Sequence, residues 1–262
     1  MVKFSVIMPT FNRAFCIDNA IRHILNQSHQ EFELLIIDDG SVDNTETLIK
    51  ENYSDEIKSG KIVYYKIINN AGVCAARNMG LRLAKNEWIC YADTDNTVRP
   101  NFLATFAKAI QENPTVKTFY AKMQYLVAGG CLGQPFDFKE LCRGNYIDMG
   151  VFCHHKSLVD EFGGFDMNLR RLVDYDLILT YTKHYTPVFI DEVVMDYNDK
   201  NEFKRITNSE TGNMQYIYQK HNIKIKKALY PKWVARIICC FIPSRKNRDS
   251  FMINHVKYKP KN

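Results

Sequence analysis

Residues 88–96, WICYADTDN, place two carboxylates, Asp93 and Asp95, one residue apart at the end of an apolar run. The run carries Trp88, Ile89 and Tyr91 and reads as a buried strand. Side chains at i and i+2 share one side of a strand, so both acids could converge just past its end. Two such carboxylates repel unless a cation sits between them. Hard oxygen ligands favour Mg²⁺ or Mn²⁺, ions that keep waters and take substrate phosphates as further ligands. Asp-x-Asp alone is ordinary turn composition. Its weight comes from where it falls, after the fourth strand of an alternating series, since open α/β sheets bind ligands outside the carboxyl ends of their strands.

The elements that must carry this pair are legible in order. Residues 4–8 form a short apolar strand, broken by Pro9, and Ile17, Ala20, Ile21, Ile24 and Leu25 then recur at helical spacing. Residues 32–37 give a second strand, ending at Asp38-Asp39-Gly40-Ser41. Asp43 with Glu46 three residues on has the pattern of a capping box opening a second helix. Residues 62–67 give a third strand, and Val73, Ala76, Gly80, Leu83 and Ala84 a helical stripe leading to the strand at 88–92. Pro100 suits the first turn of a helix carrying Phe102, Leu103, Phe106 and Ile110. This βα alternation predicts an α/β fold with a mostly parallel sheet and helices on both faces. After residue 114 it stops. A long strand at 116–127, a tight turn at Gly163-Gly164, a helix at 174–185 and strands at 188–190 and 193–197 follow. No Pro/Gly/Ser-rich linker separates the halves, so they read as one continuous domain.

Composition excludes several classes. At 262 residues and 46% hydrophobic, the chain can bury a substantial core. Residues 1–13 lack a basic segment followed by an apolar one, and no run of about 18 apolar residues is present to span a bilayer. The 8 cysteines include no Cys-x-x-Cys pair and lie mostly in apolar stretches, which fits a reducing, cytoplasmic setting rather than a zinc site. No Gly-x-Gly-x-x-Gly occurs, against a dinucleotide oxidoreductase, and the loop after the first strand has no glycine to cradle phosphates as a sugar-nucleotide pyrophosphorylase would. The net charge is +6, without a basic stripe interleaved with aromatics, so nucleic acid is not an expected partner.

Four segments, SVIMPTFN (5–12), LIIDDGS (35–41), NAGVCAARNMG (70–80) and YADTD (91–95), in this order and spacing resemble the family 2 glycosyltransferases of GT-A fold. The resemblance is dense over residues 3–112 and thinner through GGFD (163–166) and VDYDL (173–177). It implies a GT-A domain over residues 1–222, with a nucleotide-sugar-binding half (3–112), an acceptor half (113–222) and a separate tail (223–262). It also implies an inverting, metal-dependent enzyme of bacterial surface-glycan type. The donor would be a nucleotide sugar, UDP-linked, and the acceptor a hydroxyl of a glycan or lipid-linked saccharide.

By that resemblance Pro9, Thr10, Phe11, Asp39, Asn70, Gly72, Arg77 and Asp93 bind the nucleotide, and Asp95 with Asp93 holds Mn²⁺ or Mg²⁺. Asp39 would accept the imide N–H of the base, which suits an acceptor-only carboxylate, and Phe11 would lie near the ring. Asp38 is equally well a turn residue. Arg77 would either fork onto the diphosphate or clamp its loop to a carboxylate such as Asp39. In VDYDL, Asp174 takes the general-base position and Asp176 a capping or supporting one. On a helix the two lie about 200° apart, so only one can face the acceptor. Val173 stands where the family usually has Glu.

His154 and His155 close a predicted strand and point opposite ways, so at most one could reach a metal. Surface or core roles are expected for both, and His184 is expected at a helix C-terminus. After Pro231 a short apolar helix with Trp233, Ile237, Ile238 and Phe241, flanked by Lys and Arg, suits the surface of an anionic membrane, making the protein peripheral on the inner face of the plasma membrane. It suits equally a helix packed on the domain or a dimer contact. A non-catalytic nucleotide-sugar-binding scaffold of the same fold is the alternative function, which the intact Asp93, Asp95 and Asp174 disfavour.

Overall fold

The computed structural model describes residues 1–199 and 212–223. Four parallel strands open the chain: β1 (Phe4–Thr10), β2 (Phe32–Asp38), β3 (Ile62–Lys66) and β4 (Trp88–Tyr91), ordered β3-β2-β1-β4. Strands β1, β2 and β4 are near-continuous buried runs because helices cover both faces, whereas the edge strand β3 is mostly part-buried. Helices α1 (Ile17–Leu25), α2 (Thr45–Asn52) and the short α3 (Ser54–Ser59) connect the first three strands. Helix α4 (Val73–Leu83) leads to β4, and α5 (Phe102–Glu112) follows the two-residue strand β5 (Thr97–Val98). Alternate strand residues feed two cores. Phe4, Val6 and Met8 pack with α1 and α5, whereas Ile7, Leu35 and Ile37 pack with α4 and the later helices. A Cβ on Gly80 of α4 would lie 2.5 Å from Ile7 Cγ2, so glycine sets how closely this helix rides on β1.

The second half extends the same sheet. Strand β6 (Thr118–Tyr125) turns through Gly129 and Gly130, both at positive φ, into the two-residue β7 (Cys131–Leu132). Helix α6 (Phe138–Arg143) and a 3-10 turn, Met149–Val151, precede β8 (Phe152–His155). Strand β8 runs antiparallel to both β4 and β6 and joins them. Helices α7 (Ser157–Phe162) and α8 (Val173–Thr182) then lead to β9 (Val188–Tyr197), which lies parallel to β6 and pairs with β5. Helix α9 (Gly212–Lys220) packs on α8.

The expected α/β architecture is present, with its parallel part confined to β1–β4 and to the β6–β9 pair. Three local expectations differ. The two strands expected at 188–190 and 193–197 are one, β9, whose pairing with β6 shifts register between Tyr120 and Lys122 instead of breaking. The helix expected at 174–185 ends at Thr182, so His184 lies beyond it and stacks on Phe162 at 4.5 Å. The Asp43–Glu46 capping box does not form. Asp43 Oδ1 accepts from the Thr45 amide and hydroxyl, while Glu46 is drawn to Lys50 and Lys66. The predicted tail, apart from Ile223, lies outside the described residues, and among those described no helix is long and apolar enough to cross a membrane.

Candidate active site

The carboxyl ends of β1, β2 and β4 lie side by side, and the sequence-predicted residues gather there. Pro9 and Thr10 close β1, and Phe11 follows, 43% exposed. Thr10 accepts the Asp39 amide through its carbonyl (2.8 Å), tying the ends of β1 and β2 together, and its own Oγ1 is buried without a partner. Asp38 serves the turn, as its simpler reading expects: it accepts from the Ser41 amide and the Tyr64 hydroxyl, each at 2.7 Å.

Asp39 is buried, and its two oxygens take the amides of Ala71 and Gly72, each at 2.8 Å. Asn70 donates its side-chain amide to the Asp39 carbonyl. One acid thereby pins the segment that starts α4, where Gly72 sits at φ +91° with open space around the position of a Cβ. Each Asp39 oxygen keeps a second lone pair for a further donor.

From α4, Arg77 reaches Asp93 rather than Asp39. Its Nη2 donates to Asp93 Oδ1 at 2.9 Å. The expected clamp onto a carboxylate is therefore made with Asp93, while Asp39 holds the loop amides. Arg77 is 5% exposed, lies over the rings of Phe165 (5.3 Å) and Tyr91 (5.9 Å), and leaves its Nε without a partner. Burial works against its charge, and the neighbouring Asp93 and Asp174 outweigh that, raising its pKa further. Asp93 and Asp95 lie in the turn between β4 and β5, both part-buried, so turn geometry rather than strand alternation sets their directions.

Asp174 stands in the first turn of α8, next to the buried Val173 and preceded by Leu172 at φ +57°. It lies within electrostatic range of Arg77 and Asp93, and the Asn145 amide approaches its Oδ2 at 3.4 Å. Burial raises its pKa, Arg77 pulls it back, and Asp93 adds to the rise. Asp176, two residues on, points away as the helix spacing requires. It does not cap the helix: it is buried and bonded to Lys220 and His221 of the α9 segment, each at 2.8 Å.

No sequence signal singles out Asp148. This residue caps the turn Met149–Val151, with Oδ1 accepting from the Gly150 amide at 2.8 Å. It too lies within range of Asp174 and Asp93. Burial first, and then those two charges, push its pKa up to about 7. In a sequence, Asp two residues before Gly reads only as a turn. Its place in the site depends on β8 bringing the second half against β4.

Arg77 bonds Asp93, and Asp148 and Asp174 lie within electrostatic range of it, so negative charge exceeds positive here. Among the described residues no group of three or more His, Cys, Asp or Glu could hold a metal alone. The histidines do not contribute. His154 is fully buried, accepts or donates at 2.9 Å to the Tyr91 hydroxyl, and is pushed down to about 4 by burial. His155 packs edge-on against Trp88.

A half-parallel α/β sheet with an acid pair after its fourth strand, a pinned loop before α4 and a further acid opening α8 defines the GT-A class of glycosyltransferases. Residues 5–127, rather less than half of the chain, match the glycosyl transferase family 2 model, and that match together with the relatives indicates a glycosyltransferase. The chain is 28% identical over 237 residues to WcaA of Escherichia coli (strain K12), a glycosyl transferase named for colanic acid biosynthesis, with 86% of this chain and 83% of that one aligned. The fold is similar to that of S. aureus TarS 1-349 in complex with UDP-GlcNAc (TM-score 0.71, 19% identity, 86% of this chain and 66% of that one). It is also similar to the mannosyltransferase PcManGT of Pyrobaculum calidifontis in complex with GDP-Man and Mn²⁺ (TM-score 0.60, 19% identity, 76% and 58%). The chain spans less than two thirds of the length of either structure.

Proposed function

We propose that this glycosyltransferase moves a sugar from a UDP-linked donor to a hydroxyl of a glycan or lipid-linked glycan, with inversion and with Asp174 as general base. The observation that carries the reading is that Asp174, from the second half, lies within electrostatic range of the Arg77–Asp93 pair of the first. Donor and acceptor machinery then adjoin at one point. TarS was captured with UDP-GlcNAc and PcManGT with GDP-Man and Mn²⁺, which supports a nucleotide-sugar donor here and a divalent ion beside it.

Pro9, Thr10 and Phe11 would line the base and ribose, and the loop Asn70–Gly72, held by Asp39, would form the floor. Asp95 and Asp93 would hold Mn²⁺ or Mg²⁺, which when bound supplies Lewis-acid stabilisation of the departing diphosphate. Arg77 orients Asp93 and, through its unpartnered Nε, is placed to answer negative charge. Asp174 takes the proton of the acceptor hydroxyl as that oxygen bonds to the anomeric carbon. The bond from that carbon to the nucleoside diphosphate breaks on the opposite side, and both electrons leave with the nucleotide. One displacement inverts the centre. The raised pKa of Asp174 brings it closer to that of a base working near neutrality.

The test is Asp174→Asn. The variant should bind UDP as the wild type does and lose transfer by at least a hundredfold. Wild-type turnover would remove Asp174 from the role.

A further inference from the structure

The turn that delivers Asp174 is one the chain does not adopt readily. Leu172, the residue before α8, lies at φ +57° and ψ 27°. In this left-handed region a Cβ crowds the following carbonyl, and glycine, asparagine or aspartate settles there far more easily than leucine. No side-chain hydrogen bond caps the helix at this point. A backbone held in such a conformation needs surroundings that over-determine it.

Helix α9 and the residues just after it provide them, with bonds on both sides of Leu172. Before it, the Asn213 side-chain amide donates to the Arg171 carbonyl at 3.1 Å. After it, Lys220 Nζ and His221 Nε2 donate to the two oxygens of Asp176, each at 2.8 Å. His221 and Asp176 are almost wholly buried there. Tyr216 and Lys220 also donate to Asp166, at 2.9 and 2.8 Å, so α9 holds the approach to the turn as well. Between these bonds Ile217 is fully buried in the core that contains Val173 and Tyr175. Inside the bracket, the Asp176 amide donates to the Leu172 carbonyl at 3.0 Å and closes the turn that carries Asp174.

We propose that α9 is a brace on the Leu172 turn, and that Asn213 and His221 are positioning residues that set the direction of Asp174. This rests on the transfer reading above, in which Asp174 is the general base. Relaxation of Leu172 to a negative φ would change the angle at which α8 leaves its loop, and would carry Asp174 away from Asn145. A displacement of about 1 Å at a reacting group can cost roughly a hundredfold in rate. The brace lies at residues 212–223, well beyond the segment matched by the family model.

The test compares the wild type with Asn213→Ala, with Asn213→Ala/His221→Ala, and with His221→Gln, which can still donate to Asp176. Leu172→Asn is then added to the double variant, because asparagine settles in the left-handed region unaided. Exchange of the Asp176 amide is followed by NMR well below the melting temperature of every variant. UDP binding is measured, as is UDP release from UDP-glucose, UDP-galactose and UDP-N-acetylglucosamine with Mn²⁺ and methyl glycosides as acceptors. In the double variant the Asp176 amide should exchange at least about tenfold faster, and kcat should fall by at least about tenfold. Amides of β1 and β2, UDP affinity and donor KM should stay as in the wild type. His221→Gln should behave as the wild type, and Leu172→Asn should restore much of the lost kcat. If the double variant does not fold, Asn213→Ala alone should show both losses in smaller measure. A purely structural helix would lower the melting temperature and leave kcat unchanged; that outcome, or an unchanged Asp176 amide, overturns the proposal. A wild type without turnover, or full turnover in Asp174→Asn, counts instead against the transfer reading, and the exchange comparison still decides whether α9 braces the turn.

Discussion

Arg77 and Asp93 meet at 2.9 Å, joining the helix α4 to the turn after β4 across 16 residues of chain. The pair is unequal, because Arg77 is almost wholly buried while Asp93 is a third exposed. Removing the cation leaves Asp93, Asp148 and Asp174 to repel one another; removing Asp93 leaves Arg77 with two acids still in range. Arg77→Met should therefore cost about 3 kcal/mol of stability and Asp93→Asn about 1 kcal/mol or less. Urea unfolding of both variants checks the ranking, and equal costs would contradict this account.

Metal removal separates the two acids of the turn from the rest. Mn²⁺ with UDP should raise the melting temperature of the wild type, and EDTA should reverse it. In Asp95→Ala the shift caused by adding Mn²⁺ to the UDP complex should vanish together with transfer. An undiminished shift would take Asp95 out of the proposed metal site.

The pH dependence of stability follows from Asp148. Its folded pKa of about 7 exceeds the ordinary carboxylate value near 4. Between those limits the folded chain keeps a proton that the unfolded chain releases. The contribution of this group to stability is therefore most favourable below pH 4 and declines as pH rises to about 7. With EDTA present, the stability gap between Asp148→Asn and the wild type should widen in favour of the variant from pH 5 to pH 8. A constant gap would show that the acid is not held above its usual range.

At Asp166, which shares Lys220 with Asp176 in the first turn of α8, the sign reverses. Burial opposes ionisation of Asp166, but Lys220, the Asn168 amide and Tyr216 outweigh it and hold the acid at about 2. Its stabilising contribution is complete above pH 4 and is lost as pH falls through 2. Lys220 also bonds the buried Asp176. Lys220→Ala should thus cost roughly 2 kcal/mol at pH 7, with a smaller penalty at pH 2.5, where Asp166 is closer to neutral. Acid and neutral melts of the two proteins measure this.

The first half of this fold could be read from the sequence because its signals are local. Apolar runs, helical stripes and strand-end acids each sit within a dozen residues, and the strands at 4–8, 32–37, 62–67 and 88–92 all appear within a residue or two of their predicted bounds. What escaped depends on distant partners. Arg77 is matched to Asp93 by the packing of α4 against the sheet and not to Asp39, whose oxygens hold their own loop. Asp176 is paired by α9, 44 and 45 residues on. Asp148 resembles any turn aspartate until β8 carries it to Asp174. The histidine pair was legible in principle from strand alternation, and His154 does point inward, but to Tyr91 and not to a metal.

Strand β8 has one more consequence. It comes from residues 152–155 yet sits between β4 and β6, whereas the family match ends at residue 127. A fragment trimmed to that boundary would leave the Trp88–Ile89 stretch of β4 without its partner on one flank, an invitation to pair with a neighbouring copy. The recognisable segment and the unit that can stand alone are therefore different lengths of chain.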